Sequence, residues 1–344
     1  MRFKKTVIFL LILTLVMSPV LAACTSNVAP DVAPDDYSAA CPLYGAETCP
    51  AYELPSCVYG VADAGSPGVS TGYIPVASAP RLPYILALGN NWYYSTATGE
   101  KDPNIEGVFR PMFNRFLEMF CKQSMTHTPV IIFNCTNAPF PAMMPFGERY
   151  YIRLAMSDTK YWAQMIYQLS HEMMHYAFFC SFHCPDIRQL TTMLDTGRTA
   201  WNEEIISEAM SLYMLWYMAA NWQRSPLAQI DPNYGAVIKY YLDIIYNEVK
   251  RYNRPLKRDG APVNRRDFHA RFNRTAYDRP DHMTERNYLF NLFTTVSAET
   301  IGEILNMYNY FNRTYRYVCF GTWVNNAANP DFIRRVSAIQ PRLQ

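Results

Sequence analysis

The chain has 344 residues, of which 50% are hydrophobic and 15% are aromatic, enough apolar side chain to build one large core or two lobes. Its 31 lysines and arginines and 29 aspartates and glutamates give a formal net charge of +2, so no overall basic excess indicates a nucleic-acid partner. The sequence contains no internal repeat, and no apolar stretch after the first residues is long enough to span a membrane.

Residues 1–23 have the layout of a bacterial export signal, with basic residues at the start, an apolar middle and small residues before Cys24. The ending Leu-Ala-Ala-Cys resembles a lipobox, in which the cysteine is acylated and becomes the first residue of the mature protein. We therefore expect export and a lipid anchor at Cys24 in the bacterial cell envelope. Thr25 after the cysteine, rather than Asp, favours the outer membrane if the cell is Gram-negative. The alternatives are an ordinary secretory signal and an uncleaved anchor.

Residues 24–40 are polar, contain proline and lack helical or strand periodicity, which predicts a tether between the lipid and the folded body. Residues 41–80 combine three cysteines with proline and glycine, which predicts an irregular segment held by disulfides. The chain has nine cysteines, and an even number remains once Cys24 is acylated. An even set suits disulfides in an oxidising compartment.

The sequence leaves the pairing of these cysteines open. Cys180 and Cys184 could close the end of a helix, and Cys121 with Cys135 could join a helix to the strand that follows. A zinc site of Cys180, His183 and Cys184 is an alternative, but export favours a disulfide.

A globular domain is predicted from residue 81 to residue 344. Apolar residues at helical spacing predict a helix over 106–122. Short β-branched or alternating runs predict strands over 129–134 and 149–156. Two further helices follow, one over 161–179 with Ser157 or Asp158 as its N-cap, and one over 201–222.

The first of these two helices contains the motif His-Glu-x-x-His at residues 171–175. At about 3.6 residues per turn, His171 and His175 lie on one face of the helix, so both imidazoles can reach one metal ion. Glu172 lies beside them, close enough to act as general base on a water activated by the metal. The motif therefore predicts a zinc (Zn2+) site.

A catalytic zinc site needs a third protein ligand. A metzincin is excluded because Phe178 and Ser181 occupy the positions of its glycine and its last histidine. The acidic residues that open the next helix resemble the glutamate helix of the gluzincin metallopeptidases, the group that contains thermolysin. This resemblance implies that Glu204 is the third ligand and that Glu208 accepts a hydrogen bond from the far nitrogen of a ligand histidine. Glu203 and Glu208 stay open as alternative ligands.

The same resemblance implies an α+β fold with a zincin-like core, made of a small mixed sheet, the active-site helix and the glutamate helix. A mainly helical C-terminal lobe is expected from about residue 200, with helices over 234–252, 284–296 and 297–311, the last capped by Ser297. The strand before the active-site helix, at 150–156, is expected to form the sheet edge that pairs with an extended peptide substrate.

Residues 251–286 carry nine arginines and one lysine against five acidic residues. A solvated loop interrupted by proline is the simple interpretation. The alternative is a local patch for anionic envelope polymers or an acidic substrate.

Together these features predict a zinc-dependent peptidase that acts on a peptide or protein substrate and is attached to the membrane through acylated Cys24. His282, Tyr213 and Tyr217 are candidates for stabilising the oxyanion, whereas the side chain of Tyr176 should point away from the metal. The alternatives are a non-catalytic zinc-binding or scaffolding lipoprotein and a metal-free envelope binding protein.

Overall fold

The computed structural model describes eight ranges of the chain: 85–95, 103–120, 125–126, 128–135, 138–146, 149–181, 199–252 and 254–344. All of them fall within the second of the two units into which the chain divides. The predicted leader, tether and cysteine-containing segment lie outside these ranges and stay predictions. Within the described part of the chain, no helix has the length and apolar character needed to cross a bilayer.

A mixed five-stranded sheet forms the β part of an α+β fold. Its strands are β1 (Ile85–Gly89), β2 (Trp92–Ser95), β3 (Val130–Asn134), β4 (Ala142–Phe146) and β5 (Arg149–Leu154). Across the sheet their order is β1-β2-β3-β5-β4. Strands β2, β3 and β5 are parallel, and an antiparallel strand lies at each edge.

The expectation that the strand before the active-site helix is a sheet edge is wrong. That strand is β5, which pairs with β3 on one side and with β4 on the other. Strand β4 takes the edge position, and its Pro145 lacks a backbone N–H, which an edge strand tolerates. Because β4 contains a proline and no β-branched residue, its sequence does not predict a strand.

A tight turn joins β1 to β2. Gly89 pairs with Trp92, so Asn90 and Asn91 form a two-residue loop. Their φ angles are 51° and 66°, as a type I′ turn requires, and asparagine tolerates this left-handed region better than most residues.

Helices cover the sheet and form the C-terminal part of the molecule. They are α1 (Pro103–Met119), α2 (Trp162–Ser181), α3 (Ala200–Ala220), α4 (Tyr234–Asn247), α5 (Arg279–Phe293), α6 (Ala298–Gly302), α7 (Phe320–Asn326) and α8 (Pro330–Val336). A π-helix, His269–Asn273, precedes α5, and a small hairpin of β6 (Phe311–Asn312) and β7 (Tyr317–Val318) precedes α7. Several single 3-10 turns connect these elements.

The predicted helix ends differ from the observed ones where a local signal was misread. Helix α5 begins five residues earlier than expected, at Arg279, because Pro280 lies in its first turn, where proline is tolerated. Ser297 does cap α6, since its Oγ accepts a hydrogen bond from Thr300 N. Beyond Gly302 the chain continues as a 3-10 helix, Glu303–Tyr310.

Helix α2 is fixed to the sheet by a pair of hydrogen bonds. The Gln168 side chain accepts from Ala155 N at 2.9 Å and donates to Ala155 O at 3.1 Å, just after β5. On another face, Tyr176 donates to Thr128 O at 2.9 Å and its ring lies 5.2 Å from that of Trp92. Tyr176 therefore points into the core, as predicted.

Helix α3 runs through the middle of the molecule, and from Ala200 to Leu215 every residue is buried. Two residues of the C-terminal part accept hydrogen bonds from the start of α3. Trp201 N donates to Asn273 Oδ1 at 3.0 Å, and Trp201 Nε1 donates to Ile339 O at 2.9 Å. These bonds fix the helix end that carries the acidic residues.

Candidate metal centre

Helices α2 and α3 bring together His171, His175 and Glu204. One ligand atom from each lies within 4.8 Å of the others. The two Nε2 atoms are 3.1 Å apart. Glu204 Oε2 lies 3.4 Å from His171 Nε2, and Glu204 Oε1 lies 3.4 Å from His175 Nε2. The three side chains are only 6% to 13% exposed, so the cluster is nearly closed to solvent.

The chemistry of these side chains suits a zinc ion. Tetrahedral zinc with bonds of about 2.1 Å keeps neighbouring ligand atoms roughly 3.3 Å apart. In the cluster, one ligand atom from each residue lies within 4.8 Å of the others, and each histidine Nε2 has a different Glu204 oxygen at 3.4 Å. Two imidazoles and one carboxylate are also a donor set that zinc uses in hydrolytic sites. The three predicted ligands are therefore candidates for holding one ion.

Glu203 fixes the orientation of one histidine. Its Oε1 lies 2.6 Å from His175 Nδ1, and its other oxygen accepts a hydrogen bond from the Tyr308 hydroxyl. With the proton on Nδ1, the Nε2 lone pair of His175 faces Glu204 and is available to a metal. Adjacent residues of α3 thus reach the two opposite nitrogens of the same ring.

The expectation that Glu208 supports a ligand histidine is wrong. Glu208 Oε2 instead accepts from the Tyr167 hydroxyl and lies 3.4 Å from Arg286 Nη1 and 3.5 Å from Arg279 Nε. Burial raises the pKa of the Glu208 carboxyl, but the two arginine charges outweigh burial and lower it to about 2. His171 Nδ1 has no hydrogen-bond partner among the described residues.

The electrostatics of the cluster favour charged groups. Burial lowers the pKa of His175, but the Glu204 charge and the hydrogen bonds to Glu203 and Glu204 raise it to about 10. Burial also raises the pKa of the Glu204 carboxyl, whereas both histidines hold it well below its usual range. In the metal-free chain His175 therefore carries an additional proton near neutral pH, which a metal ion must displace.

Glu172, the candidate general base, is buried, with 4% of its surface exposed. It follows His171 directly on α2. Burial lowers the pKa of His171, and the charges of Glu204 and Glu172 are among the causes that raise it overall. The Glu172 carboxylate therefore acts electrostatically on the metal-binding cluster.

His282 on α5 is 2% exposed, and its ring lies 6.1 Å from the Trp201 ring at the start of α3. Neither of its ring nitrogens has a hydrogen-bond partner in the described part of the chain. Burial lowers its pKa, while the charges of Glu208 and Glu204 act in the opposite direction. His282 is thus a neutral imidazole near both carboxylates.

The structure does not bring Tyr213 and Tyr217 to the cluster, so it gives no support to their expected role as oxyanion stabilisers. Nine residues of helix separate Tyr213 from Glu204, about 13 Å along the axis. The Tyr213 hydroxyl accepts from Arg115 Nε at 3.0 Å, and the Arg115 guanidinium lies 4.8 Å from the Tyr217 ring centroid. Both tyrosines join α3 to α1.

The sequence did not indicate Tyr308, which is 105 positions from its partner Glu203 and belongs to no motif. Glu203 was considered only as a rival ligand. No local pattern distinguishes a ligand from a carboxylate that supports a ligand when both are glutamates at the start of one helix.

Three cysteines lie in the described part of the chain. Cys135, Cys180 and Cys319 are free thiols, and burial raises the pKa of Cys180 to about 12. The disulfides considered for Cys135 and Cys180 are therefore not formed in the structure. Cys121, Cys184 and His183 lie outside the described residues, and disulfides among the cysteines there stay a prediction.

Comparison of the chain with protein-family models, with curated proteins and with solved structures finds no match. A functional assignment therefore rests on the geometry and chemistry of the metal-binding cluster.

Proposed function

We propose that this protein is a zinc-dependent peptidase of gluzincin type, with a zincin-like core formed by the mixed sheet, α2 and α3. The observation that supports it is the convergence of His171, His175 and Glu204, with one ligand atom from each within 4.8 Å of the others. Glu172 next to this cluster argues against a purely structural site, because holding an ion does not require a further carboxylate.

In this proposal, His171, His175 and Glu204 hold the ion, while Glu203 and Tyr308 keep His175 in the ligating tautomer. Bound zinc would supply a Lewis acid that polarises the scissile carbonyl and activates water. Glu172 accepts the proton from the attacking water and passes it to the amine leaving group. The near closure of the site keeps bulk solvent from screening these charges.

His282 is the remaining candidate for stabilising the oxyanion. A neutral imidazole donates from one nitrogen without adding a net positive charge that would compete with the metal. Both of its ring nitrogens lack a partner among the described residues, so a donor is available to a substrate oxygen.

The proposed place of action is the bacterial cell envelope. Export and acylation at Cys24 are proposed from the basic, apolar and Leu-Ala-Ala-Cys segments of residues 1–24. A peptide or protein outside the cytoplasm would then be the substrate.

The test of the activity compares the purified wild-type chain with Glu172→Gln on a peptide library, with and without a zinc chelator. We expect chelator-sensitive hydrolysis by the wild type. Glu172→Gln should lower kcat by several orders of magnitude while binding one zinc per chain, because only the general base is lost.

Glu299→Gln is a matched control, since Glu299 is exposed on α6 and should leave hydrolysis unchanged. Full activity of Glu172→Gln would remove this residue from the mechanism. Zinc binding with no hydrolysis by the wild type would support the non-catalytic alternative instead.

A further inference from the structure

A π-helix, His269–Asn273, lies in the arginine-rich segment 251–286 and outside the candidate metal centre. It carries the side chains of His269 and Arg271. Its π-type hydrogen bond runs from Arg274 N to His269 O at 3.3 Å. Such i→i+5 turns are rare and occur often at functional sites. The wider turn brings Arg274 back to the side of the helix on which His269 lies.

The tip of the β6–β7 hairpin adds a third residue to this location. Arg316 has a φ of 57°, in the left-handed region that disfavours a residue with a Cβ. Its Nη1 lies 3.1 Å from His269 Nε2, and its backbone oxygen accepts from Asn273 Nδ2 at 2.9 Å. Two unfavourable backbone features, the π-helical turn and the left-handed φ of Arg316, thus occur where Arg316 contacts the π-helix.

The contact between Arg316 and His269 fixes the state of the imidazole. A guanidinium can only donate, so His269 Nε2 accepts and the ring is neutral with its proton on Nδ1. Among the described residues Nδ1 has no hydrogen-bond partner. Two contacts bring both arginines to His269: Arg316 Nη1 lies 3.1 Å from its Nε2, and Arg274 N donates to its backbone oxygen at 3.3 Å. Burial and the charges of Arg316 and Arg274 all lower the pKa of His269.

Among the described residues, no carboxylate pairs with these cations. Within the described part of the chain, Arg274 and Arg316 form no ion pair with an acidic residue, in contrast to Arg254, which pairs with Asp281 at 2.7 Å. Cations held near one another without a counter-charge repel, and an oxyanion between them relieves the repulsion.

We propose that Arg274, Arg316 and His269 form a binding site for a phosphate-type oxyanion, separate from the metal centre. Arginine suits this ligand because its planar fork donates two parallel hydrogen bonds to phosphate oxygens. Asn273 also accepts from Trp201 N at 3.0 Å, so the same π-helix holds the start of α3 and gives the site a rigid base.

The test is calorimetric titration of the full-length chain with inorganic phosphate at low ionic strength, where screening is weak. We expect saturable binding to the wild type and at least about tenfold weaker binding to Arg316→Gly and Arg274→Gln, because each loses charge-assisted hydrogen bonds. Arg316→Gly also relieves the left-handed backbone, so its melting temperature should not fall and loss of binding is separable from loss of fold.

Arg271→Gln is the matched control, since Arg271 is an exposed arginine of the same π-helix that lies over the Phe272 ring. It should bind phosphate as the wild type does. Binding of glycerol 1-phosphate as well would assign the site to phosphate monoesters, and binding of inorganic phosphate alone to the free ion. Absence of saturable binding to the wild type, or equal losses in all three variants, would overturn the proposal.

Discussion

At the scale of single residues, the metal centre depends on two adjacent glutamates with different tasks. Glu204 faces both Nε2 atoms, and Glu203 faces His175 Nδ1. Successive residues of a helix point about 100° apart, so they can reach opposite nitrogens of one ring. The spacing of the motif predicted that His171 and His175 lie together, whereas the different positions of the two glutamates depend on the rotation of α3 against α2.

Alanine variants distinguish the two glutamates. Glu203→Ala should weaken zinc binding by roughly 10–100-fold, the usual effect of losing a residue that orients a ligand. Glu204→Ala should weaken it further, because a direct ligand is lost. Competition titration with a fluorescent zinc chelator measures both affinities, and circular dichroism checks that both variants are folded. A greater loss for Glu203→Ala would exchange the two roles.

At the scale of the helices, a buried ion network joins α2, α3 and α5 beside the cluster. Arg279, His282 and Arg286 recur at helical spacing on one face of α5. Arg286 is fully buried and donates to Ile245 O at 2.9 Å as well as contacting Glu208. Burying a guanidinium is costly unless it is paired. Glu208 therefore compensates the charge of Arg286 on α5 and does not support a ligand histidine. The gluzincin pattern misassigned Glu208 because α5 is remote in sequence.

The network makes the stability of the fold sensitive to acid. The pKa of Glu208 is about 2 in the folded protein against a usual 4.5, so its contribution is complete above about pH 4.5 and is lost as the pH falls towards 2. At about 1.4 kcal/mol per pKa unit this amounts to roughly 3 kcal/mol. Glu208→Gln should lower the free energy of unfolding at pH 7 by about 3–5 kcal/mol and flatten its decline between pH 4.5 and 2.

Urea denaturation at several pH values measures both effects. Asp331→Asn is the control, because its pair with Arg334 is exposed and such pairs contribute about 1 kcal/mol or less. An equal loss in the two variants would contradict a stabilising role for the buried network.

At the scale of the whole molecule, the sequence predicted the α+β class, two strands of the sheet and the two central helices to within about two residues. Their runs of apolar residues made these elements predictable, because each of them is largely buried. It did not reveal β1, β2 and β4, which are short or contain proline, or the π-helix, whose spacing matches no common period. The bond between Tyr308 and Glu203 follows from tertiary packing and has no local signal.

The proposed acylation of Cys24 is tested on the whole chain. In a bacterial host, Cys24→Ser should abolish incorporation of labelled palmitate and move the protein from the detergent phase to the aqueous phase of a Triton X-114 partition, because the acyl chains supply the membrane affinity. Cys135→Ser, which removes a free thiol of the folded body, should behave as the wild type does. Unchanged partition of Cys24→Ser would indicate an uncleaved anchor or no anchor.

The central claim is that His171, His175 and Glu204 bind one zinc ion. Anomalous diffraction from crystals of the zinc-loaded chain, measured on both sides of the zinc absorption edge, tests it most directly. We expect one strong peak about 2.0–2.2 Å from both Nε2 atoms and from a Glu204 carboxylate oxygen. A zinc peak elsewhere, or no peak between these three side chains, would contradict the assignment and with it the proposed peptidase.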